Sequence, residues 1–229
     1  MNPNQQAIAV AENLTADIFH QVLDLAIQGR GKVPGAKSAA RNHLEARKDP
    51  ESAIRWYVNQ HIAMAGSQGL LTNWGGIVTA IATVPANLAA AALIQARMVA
   101  GIAHLRGYEL SDPRVRTAML MVMLGPTAME RLMGQQSLPS PAAIATAPVF
   151  DARLDGQVSK ALFDHTMSQL STKRLGVAVA KRIPIVGGGV GLLVDGWSTR
   201  GIAQYAMEQF PSRRPKRGSI TADQAPDED

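Results

Sequence analysis

The sequence contains no cysteine among its 229 residues. This absence excludes disulfide bonds, thiolate catalysis and cysteine-ligated zinc sites, and it fits a reducing cytoplasm. Aromatic residues are also scarce, at 4% of the chain, although hydrophobic residues as a whole make up 46%. Because strands are enriched in aromatic and β-branched residues, this balance favours closely packed helices over a sheet.

Charged residues are missing from one long segment, since no Asp, Glu, Lys or Arg occurs between Arg55 and Arg97. Within that segment, residues 77–94 approach the length and apolarity of a membrane-spanning helix. Pro85 interrupts them, however, and the residue before a proline resists the α conformation. We therefore predict a break before Pro85 and a buried core helix after it, from Pro85 to about Arg106. A membrane span at 77–94 stays as the alternative.

Signals for the start and end of helices divide the rest of the chain. Asp49-Pro50 and Asp112-Pro113 each place an N-cap acid before a proline at the first helical position. Gly107 is placed to end the core helix. The pattern predicts an all-α fold, a single compact domain of about seven to nine helices. We divide it into an N-terminal part at 7–133, a mobile linker rich in Pro, Ser and Ala at 134–150, a C-terminal part at 151–210 and a disordered tail at 211–229.

No catalytic, cofactor or metal motif is complete. Gly187-Gly188-Gly189-Val190-Gly191 lacks the lysine of a phosphate-binding loop and the third glycine of a dinucleotide-binding fingerprint. The five histidines show no metal-binding spacing. Ser198, between Trp197 and Thr199, superficially resembles the nucleophile of a hydrolase, but such a serine lies on a strand-to-helix turn and no strands are predicted. We expect no catalytic residue, cofactor or metal, and keep a helical hydrolase that uses Ser198 or Asp195 as an alternative.

Charged residues on otherwise apolar helices are candidate functional or core residues, because a charge there must pair or reach water. Arg97 lies on one apolar helix and Asp195 on another, and we predict that they form an ion pair that locks the core.

A second candidate is a basic patch that would attract anionic headgroups. The net charge of the chain is +5, and nucleic-acid binding is not expected because interleaved aromatic residues and known motifs are missing. The patch consists of Arg30, Lys32, Lys37, Arg41, Arg47 and Lys48.

Several segments, taken in order, resemble the EcsC family. They are GKVPGAKSAA, DPESAIRWYVNQHIAMAGSQGLLTNWGGIVTAIATVPANLAAAALIQARMVAGIAHLRGYEL, DPRVRTAMLMVMLG and RIPIVGGGVGLLVDGWSTRGIAQYA, and together they cover most of residues 31–206. The resemblance implies a helix-rich bacterial protein, linked through an ABC-transporter operon to membrane transport or secretion and without an established reaction. The recognisable positions carried over to this chain are Arg97, Arg116, Asp195, Thr199 and Arg200.

Together these features predict a non-enzymatic cytoplasmic protein. We expect it to associate peripherally with the inner face of the membrane, at an anionic lipid surface or at a membrane transporter. The hydrolase and the membrane-spanning protein are the alternatives, and the oligomeric state is left open.

Overall fold

Helices make up most of the chain in a computed structural model, which describes residues 18–31, 33–66, 86–136, 138–180 and 189–214. A two-residue antiparallel hairpin, β1 (Gly29–Arg30) with β2 (Val33–Pro34), connects the first two helices. The described helices are α1 (18–28), α2 (Ala36–Arg47), α3 (Pro50–Gly66), α4 (Ala86–Leu105), α5 (Pro113–Met123), α6 (Pro126–Gln136), α7 (Pro141–Ala145), α8 (Ala152–Ala180) and α9 (Gly189–Gln209). The predicted all-α fold is confirmed, and the helices share one apolar core.

The predicted helix starts are also confirmed. Asp49 accepts a hydrogen bond from the backbone N–H of Ser52 at 2.7 Å, just before α3. Asp112 accepts one from the backbone N–H of Arg114 at 2.9 Å, just before α5. Each aspartate satisfies one of the backbone N–H groups that have no partner within a first turn, and the proline that follows has no N–H to satisfy.

The helix α4 lies at the centre of the fold. It packs against α2, α3, α5 and α9, and every residue from Ala96 to Ala103 is buried. Gly107, at a φ of +91°, ends the helix in a Schellman turn, in which the N–H of Tyr108 donates to the carbonyl of Ala103 at 3.0 Å. The core helix predicted after Pro85 is therefore present, with bounds within a residue of those expected.

Residues 77–85 of the alternative membrane span lie outside the described part of the chain. Within that part, no helix is both long and apolar enough to cross a membrane.

The segment predicted to be a mobile linker, 134–150, contains a packed helix instead of an unbroken loop. The Ser140 hydroxyl accepts from the N–H of Ala143 at 3.2 Å, and Pro141 follows it at the first helical position of α7. Pro141 and Ala145 are buried and α7 packs against α5. Ser140 and Pro141, which contributed to the linker prediction, therefore act here as the N-cap and the first residue of a helix.

The tail predicted to be disordered, 211–229, also begins differently. The backbone N–H of Arg213 donates to the carbonyl of Arg106 at 2.8 Å, so the chain after α9 is docked against the end of α4. Residues 215–229 lie outside the description. Because α9 packs against α3, α4 and α5, the C-terminal part of the chain brings this short docked segment onto the N-terminal part.

Candidate functional site

One group of polar side chains lies inside the core, where α3 meets α4. The hydroxyl of Tyr57 donates to the backbone carbonyl of Arg97 at 2.9 Å, and the Tyr57 and His61 ring centroids are 4.3 Å apart. Arg97 is only 6% exposed and His61 2%. We call Tyr57, His61 and Arg97 the core polar cluster. Burial raises the pKa of the Tyr57 hydroxyl, so this group stays protonated and continues to donate.

His61 is held in its neutral form within this cluster. Its Nδ1–H donates to the carbonyl of Tyr57 at 2.8 Å, and its Nε2 has no hydrogen-bond partner among the described residues. Burial, and then the positive charge of Arg97, lower the pKa of His61 from 6.5 to about 4, although the hydrogen bond to Tyr57 opposes the shift. A neutral imidazole tolerates this burial far better than a charged one, so the cluster serves to hold α3 and α4 together.

A second polar group joins α1, α5 and α8. Asp155 on α8 accepts from Nε2 of His20 at 2.8 Å and from the hydroxyl of Thr117 at 2.5 Å. Beside it, Arg116 forms a 2.9 Å ion pair with Asp24 of α1. These bonds cross between helices that are distant in sequence, so the network fixes α1 against the rest of the fold.

Four of the five predicted polar positions have side chains that the structure describes, and these four do not share one site. Arg97 and Thr199 are buried, on α4 and α9 respectively. Arg116 belongs to the separate α1–α5–α8 network, and Arg200 is exposed on α9. The side chains of Asp195 and Ser198 lie outside those the structure describes. The Arg97–Asp195 pair and the hydrolase alternative therefore stay predictions.

Positively charged side chains from three distant parts of the chain meet at the C-terminal end of α4. Arg214 Nη2 donates to the carbonyl of His104 at 3.3 Å. Lys37 Nζ lies 3.8 Å from Glu109, just beyond the end of α4, and Arg41 lies one turn further along α2, which packs against α4. Burial is the main cause that lowers the pKa of His104, and the charges of Lys37, Arg214 and Arg41 add to it. We define the basic surface as Lys37, Arg41, Arg106, Arg213 and Arg214.

Two carboxylates compensate this surface only in part. Arg106 pairs with Glu51 at 3.0 Å, and Lys37 lies 3.8 Å from Glu109. Among the residues that the structure describes, five cations against two acids leave a positive excess at the surface. In addition, the Nε atoms of Arg106 and Arg214 are buried and have no hydrogen-bond partner in the described part of the structure. These two N–H groups are not reachable from solvent, so it is the exposed charges of the surface that can attract anions.

The basic patch predicted from the sequence overlaps this surface at two positions, Lys37 and Arg41. Arg47 instead places its guanidinium 3.9 Å from the ring centroid of Trp56, a side chain that is 50% exposed. Lys48 ends α2 with a left-handed backbone, Arg30 is exposed on β1, and Lys32 lies outside the description.

Sequence reasoning missed Arg106, Arg213 and Arg214. The basic run at 213–217 drew attention to Arg213 and Arg214. Because that segment was expected to be disordered, nothing in the sequence placed these two residues beside α2 and α4.

Among the residues with described side chains, no group of His, Asp and Glu could hold a metal ion. The chemistry that the basic surface offers is attraction of anions.

The profile of the EcsC protein family matches residues 37–214. The chain belongs to the EcsC protein family. The matched range begins at Lys37 and ends at Arg214, so all five cations of the basic surface lie within the EcsC region. No curated protein and no solved structure matches the chain.

Proposed function

We propose that this EcsC protein is a non-enzymatic protein that associates peripherally with the cytoplasmic face of a membrane through its basic surface. The observation that carries the proposal is the group of cations at the end of α4, where Arg214 donates to the carbonyl of His104 and Lys37 lies beside Glu109. Anionic lipids give the cytoplasmic leaflet a negative surface potential, and each nearby Lys or Arg contributes about 1 kcal/mol of attraction. Association with a membrane transport or secretion partner, as the family resemblance implies, would use the same charges on an acidic protein surface.

The exposed ring of Trp56 supports a lipid surface as the binding partner. Half of this side chain is accessible to solvent, beneath the guanidinium of Arg47. Tryptophan is favoured at membrane interfaces because its ring is apolar while its N–H is polar, and arginine extends a charged group over apolar surface in the same setting. An exposed tryptophan beside a cation is therefore typical of contact with headgroups.

Sedimentation with lipid vesicles tests the proposal. We expect the full chain to bind vesicles that contain phosphatidylglycerol, to bind phosphatidylcholine vesicles weakly, and to lose affinity as salt is raised. Substituting Lys37→Gln and Arg41→Gln together should weaken binding about thirtyfold, because two charges are removed at about 1 kcal/mol each. The matched control is Arg153→Gln with Lys160→Gln, which removes one Arg and one Lys from exposed positions on α8 and should leave binding nearly unchanged.

Other outcomes would contradict the lipid proposal in distinct ways. Equal binding to phosphatidylcholine vesicles would show that charge does not drive the association. Binding to native membranes but not to protein-free vesicles would replace the lipid with a protein partner. If Lys37→Gln with Arg41→Gln behaves like its control, the basic surface is not the contact.

A further inference from the structure

A groove of about 570 Å³ lies between α6 and α8. One wall comes from a single face of α6, where three residues follow a spacing of three and four: Ala128, Arg131 and Leu132. The other wall comes from one face of α8, with the same spacing repeated along two turns: Gln157, Lys160, Ala161, Asp164 and His165. Such spacing places side chains on the same side of a helix, so the two faces are directed towards each other.

The arrangement of the neighbouring helices keeps this groove open. α6 is held against α5 and α9, whereas α8 is held against α5. The two walls are therefore positioned by third elements rather than by direct packing on each other. Leu124, at the end of α5, lies buried at the base. The volume is within the range of about 300–1,000 Å³ that is usual for small-molecule sites.

The charges of the groove leave one cation without compensation. Lys160 and Asp164 pair with each other at 3.2 Å across one turn of α8. Arg131 forms no ion pair with any residue that the structure describes. Burial and the nearby charge of Arg131 lower the pKa of His165, which favours its neutral form. The groove thus offers one free guanidinium, a neutral imidazole that can hydrogen-bond, and apolar surface.

We propose that the α6–α8 groove binds a single-chain amphipathic carboxylate, such as a medium-chain fatty acid. The carboxylate accepts hydrogen bonds from the guanidinium of Arg131, with His165 beside it, because a planar guanidinium matches the two oxygens of a carboxylate. The alkyl chain covers the apolar side chains of the groove, which are Leu124, Ala128, Leu132 and Ala161. The site shares no residue with the basic surface and does not depend on the proposed membrane association.

Calorimetric titration of the full chain with decanoate, decanol and acetate tests this site. We expect decanoate to bind, decanol to bind about tenfold more weakly because it lacks the charge, and acetate not to bind measurably because it lacks the chain. Arg131→Gln should weaken decanoate binding about tenfold through loss of a charge-assisted hydrogen bond. Ala161→Leu, which fills the groove from the α8 side, should weaken decanoate and decanol alike.

Two controls separate a lost site from a lost fold. Arg153→Gln removes an exposed arginine from α8 outside the groove lining and should bind decanoate as the unmodified chain does, and thermal unfolding should show that every variant is folded. The Lys37→Gln and Arg41→Gln variant should also keep decanoate binding, so failure of the membrane proposal would leave this site intact. Equal affinity for decanol and decanoate, or full affinity in Arg131→Gln, would overturn the proposal.

Discussion

Two arginines, one within α4 and one just beyond its C-terminal end, have different surroundings. Arg97, in the middle of α4, is almost completely buried, and its backbone carbonyl accepts the hydroxyl of Tyr57. Arg106, just beyond the C-terminal end of α4, faces an exposed glutamate and the docked C-terminal segment. The Arg106 side chain is still only 15% exposed, so the two arginines differ mainly in their partners. The core encloses Arg97, whereas the end of the helix places Arg106 among other cations and beside backbone carbonyls that favour positive charge.

Beside the buried Arg97, the ring of Tyr57 approaches the backbone of α4 closely. A Cβ atom added at Gly101 would lie 2.1 Å from Cε1 of Tyr57, well inside van der Waals contact. The glycine is therefore required by packing, since any side chain would displace the ring and its hydrogen bond to Arg97.

The largest effect is expected from Gly101→Ala. Overpacking against a fully buried ring should destabilise the fold by about 3 kcal/mol, measured by urea unfolding. The matched control is Gly156→Ala in α8, where an added Cβ would meet nothing within 4 Å. That variant should gain about 0.5–1 kcal/mol, because alanine favours the helix over glycine. If both variants are equally stable, the contact between α3 and α4 is looser than the structure shows.

His61 gives the buried cluster a pH dependence. Its folded pKa of about 4 lies below the value of about 6.5 expected for the unfolded chain. The unfolded state therefore binds a proton more readily, and this contribution to stability is complete above pH 6.5 and is lost as the pH falls towards 4. His61→Leu should remove on the order of 2 kcal/mol of the stability loss between pH 7 and pH 4.5.

A partly exposed histidine provides the control for that experiment. His43, whose Nε2 donates to Gln60 at 2.8 Å, is not enclosed by the core. His43→Gln should therefore keep the acid-dependent loss seen in the unmodified chain, measured by urea unfolding at both pH values. If His61→Leu also keeps the acid-dependent loss of stability, His61 is not its cause. The folded state would then accept a proton at His61 about as readily as the unfolded chain, which requires that water reaches the core polar cluster.

Much of the fold could be predicted because its signals are local. Asp49 and Asp112 cap helices through contacts that span two or three residues, and Gly107 ends α4 through the backbone conformation that glycine adopts most readily. The helix α7 within the segment at 134–150 was not predicted, because Ser140 and Pro141 occur both in loops and in helix caps. The burial of Pro141 and the packing of α7 against α5 distinguish the two.

The candidate site was less predictable because it depends on distant contacts. Lys37 and Arg41 were identified because basic residues cluster in the sequence at 30–48. Arg213 and Arg214 join them only after α9 packs against α4 and the chain crosses Gly107, where the Cγ of Arg214 would lie 3.2 Å from an added Cβ. The charge pattern of the sequence does not predict this contact between the C-terminal segment and the end of α4.

Asp155 is partly buried to the same degree as Arg106, since its side chain is 14% exposed and that of Arg106 15%. Asp155→Ala should cost about 1.5 kcal/mol by removing the bonds from His20 and Thr117. Burial alone would raise the pKa of Asp155, but these two hydrogen bonds outweigh it and lower the pKa. Its contribution is therefore present above the unfolded pKa of about 3.9 and is lost as the pH falls through the lower folded value.

The control for Asp155 is an acid on the same helix with an exposed partner. Asp164→Ala breaks only the pair with Lys160, and should cost about 0.3–0.5 kcal/mol in urea unfolding. Equal losses in the two variants would show that α1 is not held by the His20–Asp155 bond.

The smallest effect on stability, and the clearest on binding, is expected from Glu51→Gln. The Glu51 side chain is 48% exposed, so its pair with Arg106 should contribute less than about 1 kcal/mol to the free energy of unfolding. Its removal nevertheless takes away one of the two carboxylates that offset the basic surface, and should strengthen binding to phosphatidylglycerol vesicles about fivefold. Glu208→Gln, the same change at an exposed position on α9, should leave binding nearly unchanged. If Glu51→Gln unfolds more easily but does not bind vesicles more tightly, Arg106 is a structural residue like Arg97. The proposed difference between Arg97 and Arg106 would then be wrong.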